Sequence, residues 1–396
     1  MGEDSAVSLF REYLQIKTVQ PDVDYSESVE FLQRVAKDIG LQFKSFEVAP
    51  KKPICIMTWE GLEPSLPSIL LSSHVDVVPV FPEYWKVDPF SAEKIDGNIY
   101  ARGSQDMKCV SIQYLEAIRR IKSGGKRLLR TLHLVFTSDE EIGSTPQSLF
   151  VHHDEFKKLN IGFALDEGIA NPGEEFRVFY GERSIWWVRV KCQGQPGHGS
   201  QFLENTAAQK IQKVINSFLS FREEQETRLK SDESLSLGHV TTVNMTMMDG
   251  GIQFNVVPAE LSVGFDIRIS PYVDLDEFEK QIATWCQQAG SDVSYTFVVK
   301  GCHQELTSID KSDPWWSAFH QACLNMDLKI QTEIFPAGTD SRFIRKCGIP
   351  AIGFSPMNNT PILLHDHNEY LNEHIFLRGI QIYQQIIPAV ANVQRF

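Results

Sequence analysis

Apolar residues recur along the chain with two periods, and the dominant period changes near residues 182 and 304. Between Ser26 and Gly40, Phe31, Val35 and Ile39 fall at helical spacing, and the spacing predicts a helix. Ser68 to His74 is a short apolar run of strand length. Val110 to Ile121 sets Tyr114, Leu115, Ile118 and Ile121 on one helical face, and Thr131 to Thr137 and Ile161 to Leu165 return to strand character. Alternation of this kind predicts an α/β region with helices packed on a mostly parallel sheet.

Past Glu182 the order differs. Ile185 to Cys192 reads as a strand, followed by a long helix from about Asn205 whose stripe is Ile211, Val214, Ile215, Phe218 and Leu219. Val240 to Thr246, the Asp249-Gly250-Gly251 stretch and Leu261 to Ile269 suggest an antiparallel pair joined by a turn. A helix carrying Leu275, Phe278, Ile282, Trp285 and Cys286 follows, then a strand at Val293 to Val299. This is the ferredoxin-like α+β order. From about residue 305 the helix–strand alternation resumes. The division that follows is residues 1–182 and 304–396 for a larger α/β domain, with 183–303 inserted into it.

Composition narrows the partners. Lysine and arginine total 38 against 51 aspartates and glutamates, a net charge of −13, which repels phosphate backbones and anionic bilayers. Nucleic acid and membrane are therefore not expected. No apolar run approaches the roughly 20 residues of a membrane span, and the acidic N-terminus lacks a signal-length apolar stretch. The cysteines at 55, 109, 192, 286, 302, 323 and 347 are odd in number, scattered and without a Cys-x-x-Cys pair. Reduced thiols in a cytoplasmic protein are the expectation. Trp186-Trp187 and Trp315-Trp316 are expected as core or subunit contacts.

The candidate chemistry sits where strand signals end, the position at which open α/β sheets build their sites. In His74-Val75-Asp76 the first and third side chains point the same way, so Asp76 can orient the imidazole. Asp106 stands just before a helix, where a lone aspartate usually caps and where a carboxylate can also bridge two cations. Asp139-Glu140-Glu141 ends another strand; adjacent carboxylates there need solvent or cations. Of the two glutamates, one would bind metal and the other act as general base. Asp166-Glu167 and His365-Asp366-His367 complete the set, and the residues themselves leave open which member of each is used. Oxygen-rich ligation with one histidine per ion suits zinc, with cobalt or manganese as substitutes.

Four stretches together, Leu71-Ser-Ser-His-Val-Asp-Val-Val-Pro, Ala101-Arg-Gly-Ser-Gln-Asp-Met-Lys, Asp139-Glu-Glu-Ile-Gly and Gly194-Gln-Pro-Gly-His198, resemble the dinuclear-zinc metallopeptidase family. That family comprises aminoacylases, carboxypeptidases, dipeptidases and deacetylases. The resemblance runs from about residue 8 to the end. Phe163-Ala-Leu-Asp-Glu-Gly-Ile-Ala-Asn-Pro172, Arg183-Ser-Ile-Trp-Trp-Val-Arg189 and Gly353-Phe-Ser-Pro-Met-Asn358 are most similar to its aminoacylase members.

The resemblance implies a zinc-peptidase-like catalytic domain with an inserted dimerisation domain, and two zinc ions per subunit. It implies His74, Asp106, Glu141, Glu167 and His365 as metal ligands, Asp106 bridging, with Glu140 as general base and Asp76 orienting His74. By the same resemblance His198 completes the neighbouring subunit's site in a homodimer, and Asn255, Arg268 and Thr339 contact substrate. Gly199 departs from the Ala or Ser that relatives often carry after this histidine. The implied reaction is hydrolysis of N-acyl-L-amino acids with apolar side chains such as methionine. A dipeptidase or carboxypeptidase using the same metals, and a non-catalytic binding protein retaining the fold, are the alternatives; the intact Glu140-Glu141 pair speaks against the second.

Overall fold

The structure is a computed structural model that describes residues 2–395. Its chain divides into two compact units. The first runs to Tyr180 and resumes over Thr307–Thr332 and from Thr339 onward; the second is Gly181–Leu306 with Glu333–Gly338.

The apolar runs of the first unit become the centre of an eight-stranded sheet. Strands Leu132–Thr137, Ser68–His74, Ile161–Asp166 and Ala351–Phe354 lie side by side and parallel. Gln42–Ala49 and Lys52–Trp59 extend the sheet antiparallel beyond Leu132–Thr137, and Phe176–Glu182 pairs antiparallel with Ala351–Phe354. Every residue of Ser68–His74 and Leu132–Thr137 is buried, as strands covered on both faces must be. Alternate side chains supply two cores. Ile69, Leu71, Leu132 and Leu134 pack with the helices Ser5–Gln15, Lys108–Ser123 and Glu373–Ala391, whereas Leu70, Val135 and Ala164 pack with Phe150, Phe156 and Ile344 on the other face.

The register levels the strand ends. His74 pairs with Thr137, and Leu71 with Leu165, so the residues that follow Thr137 and Leu165 emerge beside His74 at one edge of the sheet. Gly353 is required at its place in this arrangement, because a Cβ there would lie 2.4 Å from the Glu167 carbonyl oxygen.

In the second unit four strands order as Thr242–Gly250, Glu260–Ile269, Ser184–Gln193 and Val293–Lys300, all pairs antiparallel. Helices Ala207–Ser231 and Leu275–Ala289 supply Ile211, Val214, Phe218, Phe278 and Ile282 to a core with Trp186, Val188 and Val190. This is the ferredoxin-like topology. Arg183 holds Glu333–Gly338 in this unit by donating to the Pro336 carbonyl at 2.9 and 3.0 Å. One local expectation changes: Gly250 pairs with Leu261, so the two glycines do not make a tight hairpin. They open a longer arm in which Val256–Val257 pairs with Gly197–His198. Trp186, Trp315 and Trp316 are buried, while Trp187 is 44% exposed. Among the described residues no helix is long and apolar enough to cross a membrane, and no disulfide joins the cysteines.

Candidate metal centre

The strand ends of the first unit bring five of the candidate side chains into two triads that share one member. His74, Asp106 and Glu167 form the first; Asp106, Glu141 and His365 form the second. Asp106 divides its oxygens between them: Oδ1 lies 3.0 Å from His74 Nε2, and Oδ2 lies 3.3 Å from His365 Nε2. Glu167 Oε2 is 3.5 Å from His74 Nε2, and Glu141 Oε2 is 3.0 Å from His365 Nε2. Asp106 does not cap the helix Lys108–Ser123, which has Met107 at its N-cap and no side-chain cap.

Two ambiguities in the residues are resolved by direction. Asp166 turns away from His74 and accepts the Ser341 hydroxyl at 2.7 Å, leaving Glu167 to face the imidazole. His367 packs against Tyr84 and Phe81, with ring centroids at 4.9 and 6.2 Å, leaving His365 to face the carboxylates.

Asp76 differs in detail from the expectation. His74 Nδ1 lies 3.0 Å from the Asp76 backbone carbonyl and 3.6 Å from its carboxylate, so the carbonyl is the acceptor that orients the ring. The carboxylate instead accepts the backbone N–H groups of Glu140 and Glu141, at 3.0 and 3.2 Å. Asp76 thereby holds both glutamates of the following strand end. Asp139, just before them, adopts a left-handed φ of 59°. Four contacts hold it there: the Tyr25 hydroxyl donates to its carboxylate at 2.6 Å, Gln20 does so at 3.0 Å, Lys52 pairs with it at 2.5 Å, and its own N–H donates to the Tyr25 oxygen.

The protonation energetics describe a pocket short of positive charge. Burial opposes a charge on His74, but Glu167, Asp106 and Asp76 outweigh it and push the imidazole well above its ordinary value. His365 is raised to about 10 by Asp106 and Glu141. Burial, with the neighbouring charge of Asp106, pushes Glu141 up to about 7 and Glu167 well above the usual range. Glu140 is raised by burial and by Glu167. Burial also opposes the charge on Asp106, yet the two imidazoles hold it below the usual range. Glu141 Oε1 is buried without a hydrogen-bond partner. Divalent cations fit this donor set, because they would supply the missing charge and occupy that orphaned oxygen.

Of the other candidates, Thr339 is buried in the first unit and accepts the Ser341 N–H at 3.3 Å. His198, Asn255 and Arg268 belong to the second unit. His198 is exposed, and its Nδ1 accepts the Ser200 N–H at 3.3 Å and contacts the Ser200 hydroxyl at 2.8 Å. Accepting at Nδ1 puts the proton of the neutral ring on Nε2. Asn255 is exposed beside it, its carbonyl accepting the Gly199 N–H at 2.9 Å. Arg268 makes a bidentate pair with Asp266 at 2.7 and 3.0 Å. Sequence reasoning missed Gln20, Tyr25, Lys52 and Glu369. Only Glu369, an acid four residues past His365, left a local signal.

A carboxylate shared by two triads, at the carboxyl ends of parallel strands and beside a second glutamate, is a donor set able to hold metal ions for hydrolytic chemistry. Residues 70–389 match the model of peptidase family M20/M25/M40, and the chain belongs to that family. It is similar to aminoacylase-1 of Mus musculus, 56% identical over 99% of this chain and 97% of that protein. Aminoacylase-1 of Homo sapiens is 54% identical over 99% and 96%. In fold it is similar to an M20 family metallo-carboxypeptidase of Sulfolobus solfataricus, with a TM-score of 0.74 at 17% identity over 98% of this chain and 100% of that one.

Proposed function

We propose that this chain hydrolyses the amide bond of N-acyl-L-amino acids at a centre of two zinc ions, for which cobalt or manganese can substitute. The observation that carries the reading is Asp106, whose two oxygens serve two imidazole–glutamate pairs. The similarity to aminoacylase-1 supplies the substrate class.

His74, Asp106 and Glu167 would hold one ion, and Asp106, Glu141 and His365 the other. Ions so held supply a Lewis acid for the acyl carbonyl and bring the pKa of a water toward neutrality. Glu140, fixed at its backbone by Asp76 and its carboxylate free of hydrogen bonds to described residues, takes the proton from the attacking water and returns it to the leaving amine. His198 donates its Nε2–H to the oxyanion, and Asn255, Arg268 and Thr339 contact the substrate.

His198 acts on the site of a second copy. What supports this is the arm that carries it, where Phe202 and Phe254 are fully exposed and Ile252 nearly so, an apolar tip that single soluble copies rarely present. In this homodimer residues 1–182 and 304–396 form the catalytic domain and 183–303 the dimerisation domain. Seven cysteines without a disulfide favour the cytoplasm.

The test is the initial rate on N-acetyl-L-methionine, N-acetyl-D-methionine and Met-Ala, before and after chelation and zinc restoration. Zinc-dependent, L-selective deacetylation is expected. Cleavage of the dipeptide alone would move the protein to the peptidase branch, and silence on all three would remove the catalytic reading.

A further inference from the structure

Glu369 is completely buried, and nothing in the proposed reaction uses it. Its carboxylate gathers four N–H donors from one short loop. Oε1 accepts the backbone N–H groups of Gln105 at 2.7 Å and Asp106 at 3.2 Å. Oε2 accepts Arg102 Nη1 at 2.8 Å and the Gly103 N–H at 3.1 Å. Gly103 sits at φ +88°, which bends the loop so that its amides converge on one point. The Glu369 carbonyl in turn accepts the Ala101 N–H at 3.1 Å.

The two loops joined in this way carry the two residues that most need a fixed separation. Residues 101–106 end in the shared carboxylate, and residues 361–369 contain His365. Gln105 ties them from the other side: its Nε2 donates to the carbonyls of Pro361 and Tyr370 at 3.0 and 2.8 Å, and its Oε1 accepts the Leu363 N–H at 3.0 Å. Arg102 adds a donation to the Asp366 carbonyl at 3.0 Å. His365 itself is 51% exposed and has little packing of its own to hold it.

We infer that Glu369, with Arg102 as its charge partner, is a positioning residue for the metal centre: it clamps the loop bearing Asp106 to the loop bearing His365 and so sets the spacing of the second metal's ligands. This rests on the metal-centre reading. A carboxylate is required because all four groups aimed at it are donors. A glutamine would turn an NH2 toward two of them, leaving buried N–H groups unpaired.

The test is Glu369→Gln in the full chain. Zinc affinity would be measured by competition with a chromophoric chelator, amide hydrogen exchange in the metal-free protein, and folding by circular dichroism. The folded variant should bind zinc about 10–100-fold more weakly, the usual cost of removing a group that orients metal ligands. Its kcat should fall with KM little changed, and the Gly103, Gln105 and Asp106 amides should exchange faster. A folded variant with wild-type zinc affinity and exchange overturns the inference. Should Glu369→Gln fail to fold, Arg102→Lys keeps the charge but loses the planar fork. It should weaken zinc binding in the same direction by less, and unchanged affinity there overturns the inference as well. A wild-type chain that binds no zinc would remove the metal-centre reading along with it, whereas tight zinc binding by both wild type and variant removes only the clamp.

Discussion

The two units hold their candidate residues in opposite ways. In the first, internal hydrogen bonds hold the segments that carry the carboxylates: Asp76 holds two backbone amides, Asp139 is held by Tyr25, Gln20 and Lys52, and Glu369 gathers four donors. In the second, His198 is anchored by Ser200 and a two-residue ladder, and the aromatic rings near it face solvent. Ligands that must meet metal ions at set distances are preorganised by internal hydrogen bonds. On the proposed reading His198 works on a second copy and can sit on an open arm, because the surface that would order it is not its own.

The largest effect should come from Glu140→Gln. Turnover is expected to fall about 10²–10⁴-fold, the usual worth of a general base, while metal content by plasma emission stays at the wild-type level. Full activity in this variant would break the division of labour between Glu140 and Glu141. His198→Ala should lower kcat about 10²–10³-fold, as loss of an oxyanion donor does. Because this side chain is exposed, the melting temperature should not move, in contrast to any change in the first unit's network. Mixing His198→Ala with Glu140→Gln should restore activity in hybrid dimers. No recovery at all would show that the two residues work within one copy.

A third experiment probes burial in the first unit. His133, on the central strand, is lowered from its ordinary 6.5 to about 4 by burial. The unfolded chain therefore takes up a proton below about pH 6.5 that the folded chain refuses until about pH 4. The stability tied to the neutral ring is complete above pH 6.5 and lost as the pH falls through 4, on the order of 3 kcal/mol. Urea titrations from pH 7 to 4 should show this slope, and His133→Asn should flatten it. The smallest change is expected from Phe254→Ser, which leaves the carboxylate cluster untouched. Truncating one exposed aromatic anchor should weaken self-association by about 1–2 kcal/mol in sedimentation equilibrium. An unaltered association constant would mean that the arm is not the contact between copies.

Much of the fold was legible because burial writes a period into the chain. Three of the four central strands, the split-βαβ order of the second unit and the clustering of acids and histidines at strand ends follow from apolar spacing, whereas Ala351–Phe354 lies within a stretch that reads only as resumed helix–strand alternation. Side-chain direction at the strand ends was not. Asp166 and Glu167 are equal candidates in one dimension, and only pairing with the neighbouring strands turns the first toward Ser341 and the second toward His74. Asp106 leaves its helix uncapped for the same reason, since two imidazoles from distant segments lie against its oxygens. Gln20 and Tyr25 carried no signal, because a glutamine and a tyrosine near the N-terminus acquire meaning only when the chain brings them to Asp139.

What the sequence by itself determined was the identity of the elements and the chemistry gathered at their ends, because both depend on residue type and local period. Which carboxylate faces the neighbouring imidazole, which carbonyl orients that imidazole and which buried acid gathers the amides of a distant loop were decided by the tertiary structure alone. Those choices depend on hydrogen-bond distances between segments up to several hundred residues apart, and no local pattern encodes such distances.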